Sequence, residues 1–250
     1  MKERLDVLLV QRGLVESRTR AQARIMAGQV IVNEHRIDKA GTKVPTDATI
    51  RLKGDDHPYV SRGGLKLEGA LEAWPIDLTQ RICMDVGAST GGFTDLLLQR
   101  GAAQVFAVDV GHNQLAWKLR QDARVINMER THIGKLEVGT LTPAPTFAVI
   151  DVSFISLRRV LPATVPHLAP QSRIYALVKP QFEVGRERIG KGGIVRDPQA
   201  RADALEAVLE TARDLGLTCL GTIESPITGT EGNVEFLAGF EGLEAPVPIG

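Results

Sequence analysis

The chain is poor in cysteine, in aromatic residues and in long apolar runs. Its 250 residues include two cysteines and 4% aromatic residues, and its formal net charge is zero. No apolar run approaches the roughly 20 residues that a membrane-spanning helix needs. The opening stretch, MKERLDVLLVQRG, has charges on both sides of a very short apolar piece, which is not the pattern of a secretory signal. We therefore expect a reduced, cytoplasmic protein with no membrane partner, in which Cys83 and Cys219 are buried thiols.

The sequence also lacks a metal-binding motif and repeated units. The five histidines show no ligand spacing with cysteines or carboxylates, so no metal site is predicted. No internal repeat or low-complexity segment is present. The zero net charge hides an asymmetry, because residues 1–53 hold 11 Lys/Arg against 6 Asp/Glu, while residues 54–250 carry a net charge of −5. A basic small part favours an anionic partner such as nucleic acid, the alternative being a merely solvated surface.

Residues 1–53 read as a compact module of two short helices and a small sheet. Leu5, Leu8 and Leu9 lie on one face of a helix that is expected to end near Gly13. Ser17 is a plausible N-cap for a second helix. The apolar face of that second helix is predicted to comprise Ala21, Ile25 and Met26. Two strands are predicted to follow, the first at Val30 to Val32 and the second at Thr49, Ile50 and Leu52. This pattern resembles the S4 RNA-binding domain, a small module named after a ribosomal protein.

Exposed cations form the predicted RNA contacts. In the S4-like segment Arg18, Arg20 and Arg24 project from the second helix, on the side opposite its apolar residues, a placement suited to salt-sensitive contacts with phosphates. Gly185 to Asp197 combines glycines with cations and is predicted to be a mobile loop that faces RNA, the alternative being an ordinary solvated loop. The predicted RNA-binding residues are Arg4, Arg18, Arg20, Arg24, Arg62, Arg186 and Lys191.

From Arg81 onward strands alternate with helices, after a predicted linker at 54–60 and a helical pattern at 65–73. Such alternation predicts a parallel, doubly wound sheet with helices on both faces. The last two strands leave no room for a helix between them, so they should form an antiparallel pair at one edge. Strands are predicted near 82–86, 104–109, 124–127, 147–151, 173–179, 217–224 and 233–239, and helices near 93–99, 113–120, 157–167 and 199–215. Seven strands ending in an antiparallel pair are the layout of class I methyltransferases, here over residues 61–250.

The turn from Gly87 to Phe93 follows the first strand and precedes a helix. Strand, glycine turn and helix start place backbone N–H groups in front of a ligand with no side chain to block it. The spacing Gly-x-x-x-Gly-Gly differs from the dinucleotide fingerprint, which argues against a dehydrogenase. Asp109 ends the second strand and is expected to bind ribose hydroxyls, and Glu129 follows the third strand and is expected to reach an adenine amino group.

Four ionisable residues are expected to meet at the mouth of the sheet. Asp151 ends the fourth strand and Lys179 ends the fifth, while Glu235 begins the antiparallel last strand and so lies at the same edge. Lys66 precedes the first strand and is able to reach this edge. Desolvation and a second lysine both favour a neutral amine, which is able to accept a proton from a hydroxyl. The alternatives are a structural ion-pair cluster and, for Lys66, an ordinary surface lysine.

The whole chain resembles the TlyA family, an S4 domain joined to a methyltransferase domain of the FtsJ type. The motifs that carry the resemblance are SRGGLKLEGAL, DVGASTGGFTD, VDVGHNQLAWKLR, DVSFISL, LVKPQFE and GNVEF. It implies transfer of a methyl group from S-adenosylmethionine to the 2′-hydroxyl of a cytidine in ribosomal RNA. It also implies a catalytic tetrad of Lys66, Asp151, Lys179 and Glu235. The implied cofactor contacts are Asp85, Gly87, Ala88, Ser89, Thr90, Gly91, Gly92, Phe93, Asp109, Val110, Glu129 and Asp151.

Two other functions compete with this one. An RNA-binding protein with an inactive methyltransferase fold would share the architecture, although the complete tetrad argues against it. A membrane-active hemolysin is suggested by the historical name of some family members, but no helix pattern is strongly apolar on one face and basic on the other. The nucleotide that is modified, the choice between one ribosomal subunit and both, and the oligomeric state stay open.

Overall fold

The computed structural model describes residues 2–15, 17–52, 57–229 and 232–242. These residues form two compact units, Met1–Pro58 and Tyr59–Gly250. Residues 54–56 of the predicted linker lie outside the described part of the chain. Tyr59 and Val60, at the other end of that linker, pack in the second unit: Tyr59 Oη donates a hydrogen bond to Glu68, and the Val60 N–H donates one to Asp95.

The described residues of the first unit form two helices and two small sheets. Its elements are β1 (Lys2–Arg4), α1 (Leu5–Gln11), α2 (Arg18–Met26), β2 (Val30–Val32), β3 (His35–Ile37), β4 (Lys43–Pro45) and β5 (Ile50–Leu52). Strand β1 pairs with β4, and β2 lies between β3 and β5 with both pairings antiparallel. Leu5, Leu9 and Ile25 are fully buried at the centre of this unit.

The predicted ends of α1 and α2 agree with their backbone geometry. Gly13 follows α1 with a φ of 68°, in the left-handed region that a C-terminal glycine favours. Ser17 caps α2 by accepting a hydrogen bond from the Arg20 N–H. The placement of Met26 on the apolar face was wrong, because this side chain is 65% exposed at the last position of α2.

The second unit alternates strands and helices, as the hydrophobic pattern predicts. Its elements are α3 (Gly63–Ala73), β6 (Ile82–Val86), α4 (Gly92–Gln99), β7 (Gln104–Val108), α5 (Trp117–Arg120), β8 (Val125–Met128), β9 (Phe147–Ile150), α6 (Leu157–Thr164), β10 (Arg173–Val178), α7 (Pro180–Glu183), α8 (Pro198–Asp214), β11 (Thr218–Glu224) and β12 (Phe236–Glu241). Short 3₁₀ turns occupy Ile133–Lys135, Val165–His167 and Arg186–Arg188.

One seven-stranded sheet organises this unit in the order β11-β12-β10-β9-β6-β7-β8. Strands β6 to β10 pair in parallel where they are neighbours, whereas β12 runs antiparallel to both β10 and β11. The predicted doubly wound fold with an antiparallel pair at one edge is therefore confirmed.

Successive residues of the central strand face opposite sides of the sheet. Cys83 packs with Leu67, Phe93 and other side chains of α3 and α4. Met84 belongs to the opposite core, together with apolar side chains of α6 and α8. Because helices cover both faces of the sheet, a ligand is expected to bind at the edge formed by the carboxyl ends of the parallel strands.

Several local predictions differ from the structure. The predicted helix at 113–120 is reduced to α5, since Asn113 has a φ of 58° and the backbone N–H groups of 113–115 bind a side chain instead of forming a helical turn. The predicted helix at 157–167 ends at Thr164 and continues as a 3₁₀ turn. Cys219 is exposed, because it lies on the edge strand β11 next to an irregularity in pairing. The last strand begins at Phe236 instead of residue 233, since the Asn233 side chain binds a neighbouring loop.

No helix among the described residues is both long enough and apolar enough to cross a membrane.

Candidate active site

The glycine turn after β6 brings two loops into close contact. Gly87 has a φ of 88°, and a Cβ added there would lie 2.3 Å from the carbonyl oxygen of Asp151. A Cβ on Gly92 would lie 2.3 Å from Ser61 Oγ. Gly87 therefore needs glycine for lack of space, because its obstacle is backbone, whereas the Ser61 hydroxyl next to Gly92 is able to rotate away.

Asp85 is a fully buried carboxyl group beneath this turn. Its Oδ2 accepts hydrogen bonds from the backbone N–H and the Oγ1 of Thr94, at 2.9 and 2.7 Å. Its Oδ1 is buried and has no hydrogen-bond partner among the described residues. Burial raises the pKa of Asp85 to about 7 even though the Thr94 bonds favour the ionised form. A cation placed next to Oδ1 would favour the ionised form and supply the missing partner.

Asp109 and Glu129 follow β7 and β8 but have different surroundings. Asp109 accepts hydrogen bonds from the backbone N–H groups of Ser89 and Gly111, at 2.7 and 2.6 Å. Glu129 accepts bonds from the backbone N–H groups of Asn113 and Gln114 and also binds Arg120. Burial opposes ionisation of Glu129, but these backbone bonds prevail and lower its pKa to about 2. Glu129 is therefore engaged in fixing the 113–115 loop.

The four predicted tetrad residues form two ion pairs. Lys66 Nζ lies 2.5 Å from Glu235 Oε2, and Lys179 Nζ lies 2.6 Å from Asp151 Oδ1. Both lysine side chains are nearly buried, with 12% and 10% of their surface exposed. The Lys179–Asp151 contact lacks the angles of an aligned hydrogen bond, whereas Lys179 Nζ donates a good one to Ser153 Oγ at 3.0 Å. Lys66 is thus not an ordinary surface lysine.

Three adjoining cavities surround these pairs. The first, of 550 Å³, is lined by the glycine turn together with Lys66, Asp85, Asp151 and Lys179. The second, of 530 Å³, has apolar walls that include Val108 and Ile133 and a polar side at Asp109. The third, of 320 Å³, is lined by Lys179 and Glu235 together with Ser153, Phe154, Gln181, Phe182, Gly193 and Asn233. Volumes of this size are typical of small-molecule sites, about 300–1,000 Å³.

The structure gathers most of the predicted cofactor residues around the first two cavities. Those that line the first are Asp85, Gly87, Ala88, Ser89, Thr90, Gly92, Phe93 and Asp151; those that line the second are Gly87, Ser89, Asp109, Val110 and Asp151. Gly91 and Glu129 line neither. Gly91 instead faces Leu115 and Leu119, and Glu129 is occupied by backbone N–H groups. Among the described residues, no three His, Cys, Asp or Glu side chains converge as a metal site.

The predicted RNA-binding cations are dispersed over both units. Arg20, Arg62, Arg186 and Lys191 are exposed, and Arg62 also lines the first cavity. Arg4 and Arg18 both bind the fully buried Asp6, at 2.9 and 3.1 Å. Arg24 is half-buried on α2. One buried carboxylate therefore sets the direction of two of the predicted arginines.

The glycine-rich segment at 185–197 is attached to its surroundings. Asn233 Oδ1 accepts the Val195 N–H at 3.1 Å, and Asn233 Nδ2 donates to the Gly193 carbonyl at 3.0 Å. Arg188 binds Asp203 of α8 at 2.6 Å. These bonds hold the segment beside the third cavity, and its mobility stays a prediction.

Sequence reasoning missed three residues of this site. Ser153 lies in the motif DVSFISL, but only Asp151 was selected from it. Thr94 binds Asp85, nine positions earlier in the motif DVGASTGGFTD. Asn233 belongs to the motif GNVEF, of which the sequence prediction included only Glu235. Their positions in these short motifs were the only available signal, since a serine, threonine or asparagine is also common in ordinary turns.

A seven-stranded doubly wound sheet, a glycine turn and carboxylates at the strand ends define a class I methyltransferase fold. A family model described as FtsJ-like methyltransferase matches residues 59–241, and an S4 domain model matches residues 3–50.

Three relatives place the chain more narrowly. YqxC of Bacillus subtilis, named as a candidate rRNA methyltransferase, is 54% identical over 98% of this chain and 90% of its own length. The 16S/23S rRNA (cytidine-2′-O)-methyltransferase TlyA of Mycobacterium tuberculosis is 46% identical over 94% of this chain and 88% of its own. The solved structure of a candidate hemolysin from Streptococcus thermophilus is 50% identical, with a TM-score of 0.77, and covers 98% of this chain and 90% of that one. The chain belongs to the FtsJ-like methyltransferases and, within them, to the TlyA family.

Proposed function

We propose that this protein transfers a methyl group from S-adenosylmethionine to the 2′-hydroxyl of a cytidine in ribosomal RNA. The observation that carries the proposal is the convergence of two lysine–carboxylate pairs on cavities beside the glycine turn. The name of the Mycobacterium tuberculosis relative supports the choice of reaction and RNA.

The residues around the first two cavities fit S-adenosylmethionine. The unpartnered Asp85 Oδ1 suits the cationic amino acid end, and the glycine turn from Gly87 to Gly92 lines the first cavity. The apolar walls of the second cavity suit a purine ring, and Asp109 lies where a ribose would be bound. When bound, this cofactor supplies the methyl group that the ribose hydroxyl accepts.

The tetrad prepares the hydroxyl for this transfer. Lys179, as a neutral amine, accepts the hydroxyl proton, and Asp151 holds the amine in place. Lys66 stays paired with Glu235 and contributes positive charge next to the developing oxyanion. Much of the rate comes from holding the hydroxyl in a near-attack position between these side chains.

The S4 unit supplies the RNA contact in this proposal. Its exposed Arg20, with Arg4 and Arg18 set by Asp6, binds phosphates, while Arg62, which lines the first cavity, contacts the RNA at the reacting nucleotide. We further propose that the partner is a ribosomal subunit and that the protein acts in the cytoplasm.

The test is methyl transfer by the purified protein from tritium-labelled S-adenosylmethionine to ribosomal subunits. Ribose methylation at a cytidine, mapped as a site resistant to alkaline cleavage, is the expected result. The same map is compared for ribosomal RNA from cells with and without the protein. Cofactor binding with no methyl transfer would favour an inactive RNA-binding protein, and leakage of liposomes without transfer would favour a membrane-active one.

A further inference from the structure

Ser153 occupies a central position in the site. It is exposed, and it lines all three cavities, which no other described residue does. Its Oγ accepts a hydrogen bond from Lys179 Nζ at 3.0 Å. Lys179 Nζ therefore has one aligned hydrogen-bond acceptor, Ser153, and one charged neighbour, Asp151, whose Oδ1 lies 2.6 Å away without hydrogen-bond geometry.

These two neighbours restrict the orientation of a neutral amine. A lysine ammonium has three N–H donors, whereas the neutral form has two N–H donors and one lone pair. When Ser153 accepts one N–H and the charge of Asp151 attracts the other, the lone pair occupies the remaining tetrahedral direction. Without Ser153 no aligned hydrogen bond would hold the amine, so it would rotate about its last carbon–nitrogen bond and the lone pair would have no fixed direction.

The loop that carries Ser153 is fixed to the segment that carries Lys179. Glu183, on α7 directly after Lys179, accepts hydrogen bonds from Ser156 Oγ at 2.5 Å and from the Leu157 N–H at 2.8 Å. Phe154 has a φ of 65°, a conformation that an aromatic residue keeps only when its neighbours hold it. The Ser153–Lys179 contact is thus built into the loop.

We propose that Ser153 is a positioning residue that directs the Lys179 lone pair at the hydroxyl to be methylated. In the step, the hydroxyl proton leaves oxygen and becomes the third N–H on Lys179 Nζ, while the electron pair of the broken O–H bond stays on the oxygen that accepts the methyl group. This inference rests on the proposed function and adds a residue to it.

The first test measures Lys179 without cofactor or RNA. The protein reacts with trace acetic anhydride across a pH series, and mass spectrometry gives the acetylation of each lysine. In Ser153→Ala the pH profile of Lys179 acetylation should depart from that of the wild-type protein, because Lys179 Nζ loses its hydrogen bond to Ser153 Oγ. Ser153→Thr keeps the hydroxyl and should keep the wild-type profile.

Other charged groups around Lys179 provide the controls. Asp151, Glu235, Lys66, Asp85 and Arg62 line the same cavities and are unchanged in both variants. Lys66 is bound to Glu235 and not to Ser153, so its acetylation profile serves as an internal reference that should not move. Equal shifts of Lys66 and Lys179 would indicate a general disturbance and overturn the proposal.

The second test measures methyl transfer. Ser153→Ala should lower kcat about tenfold, while the Kd for S-adenosylmethionine and for the RNA is retained. Ser153→Thr should restore kcat. Unchanged acetylation of Lys179 and unchanged kcat in Ser153→Ala would overturn the proposal. If the wild-type protein transfers no methyl group, the proposed function fails, whereas the acetylation experiment still decides the role of Ser153.

Discussion

Replacing Gly87 with alanine tests the close approach of the glycine turn to the loop after β9. The new Cβ would lie 2.3 Å from the Asp151 carbonyl oxygen, where ordinary contacts begin at 3.4 Å. The Asp151 backbone has little freedom to move away, because its N–H donates to the Val86 carbonyl at 2.9 Å. Relief of the clash must therefore displace Asp151, the residue that holds Lys179.

The structure offers a matched control at Gly139. Its φ of 89° equals the 88° of Gly87 within one degree, but no atom lies within 4 Å of its Cβ position. An alanine at either site costs about 1–2 kcal/mol for its left-handed conformation. Overpacking adds about 1–3 kcal/mol at Gly87 alone. We therefore expect Gly87→Ala to lose about 2–5 kcal/mol and Gly139→Ala about 1–2 kcal/mol.

Two measurements compare the variants. Thermal unfolding gives the difference in stability, and isothermal titration calorimetry gives the affinity for S-adenosylmethionine. Gly87→Ala should have the lower melting temperature and should lose most of its cofactor affinity, whereas Gly139→Ala should bind like the wild-type protein. Equal melting temperatures together with equal affinities would refute the argument that the Asp151 contact requires glycine.

Three further predictions concern charged side chains. Lys179→Ala should reduce methyl transfer by about 10²–10⁴-fold while calorimetry shows unchanged cofactor binding; full transfer would remove Lys179 from the mechanism. Burial raises the pKa of Asp85 from 3.8 to about 7, so its protonation stabilises the fold most below pH 3.8, and this contribution disappears as the pH rises through 7. Melting temperatures should show this loss in the wild-type protein and not in Asp85→Asn. The Arg4 hydrogen bond lowers the pKa of Asp6, so Asp6→Asn should destabilise the first unit at neutral pH. The difference in melting temperature between Asp6→Asn and the wild-type protein should shrink below pH 4, and a difference that does not change with pH would contradict this prediction. Asp6→Asn should also weaken RNA binding and its dependence on salt.

Much of the fold could be predicted because it depends on local patterns. Alternating apolar segments predict buried strands, and the glycine turn after Val86 predicts a ligand site at the start of a helix. Parallel strands share one carboxyl edge, so the sequence alone predicts Asp109, Asp151 and Lys179 there.

Local patterns failed where a distant group competes for the backbone. The apolar spacing at 113–120 is that of a helix, yet Glu129 takes the N–H groups of residues 113–115 and leaves only α5. Cys219 lies in an apolar segment but on an edge strand, where one side of the sheet is less covered.

The sequence by itself determined the two-part organisation, the doubly wound sheet and the family, since each follows from the order and spacing of residues along the chain. Only the tertiary structure decided which side chains are partners. Lys66 and Glu235 are 169 positions apart and form one ion pair. Lys179 has Ser153 as well as Asp151 beside it, and Glu129 turns away from the cavities to bind a loop. Such pairings depend on where the packing of the whole sheet places side chains that are far apart in the sequence.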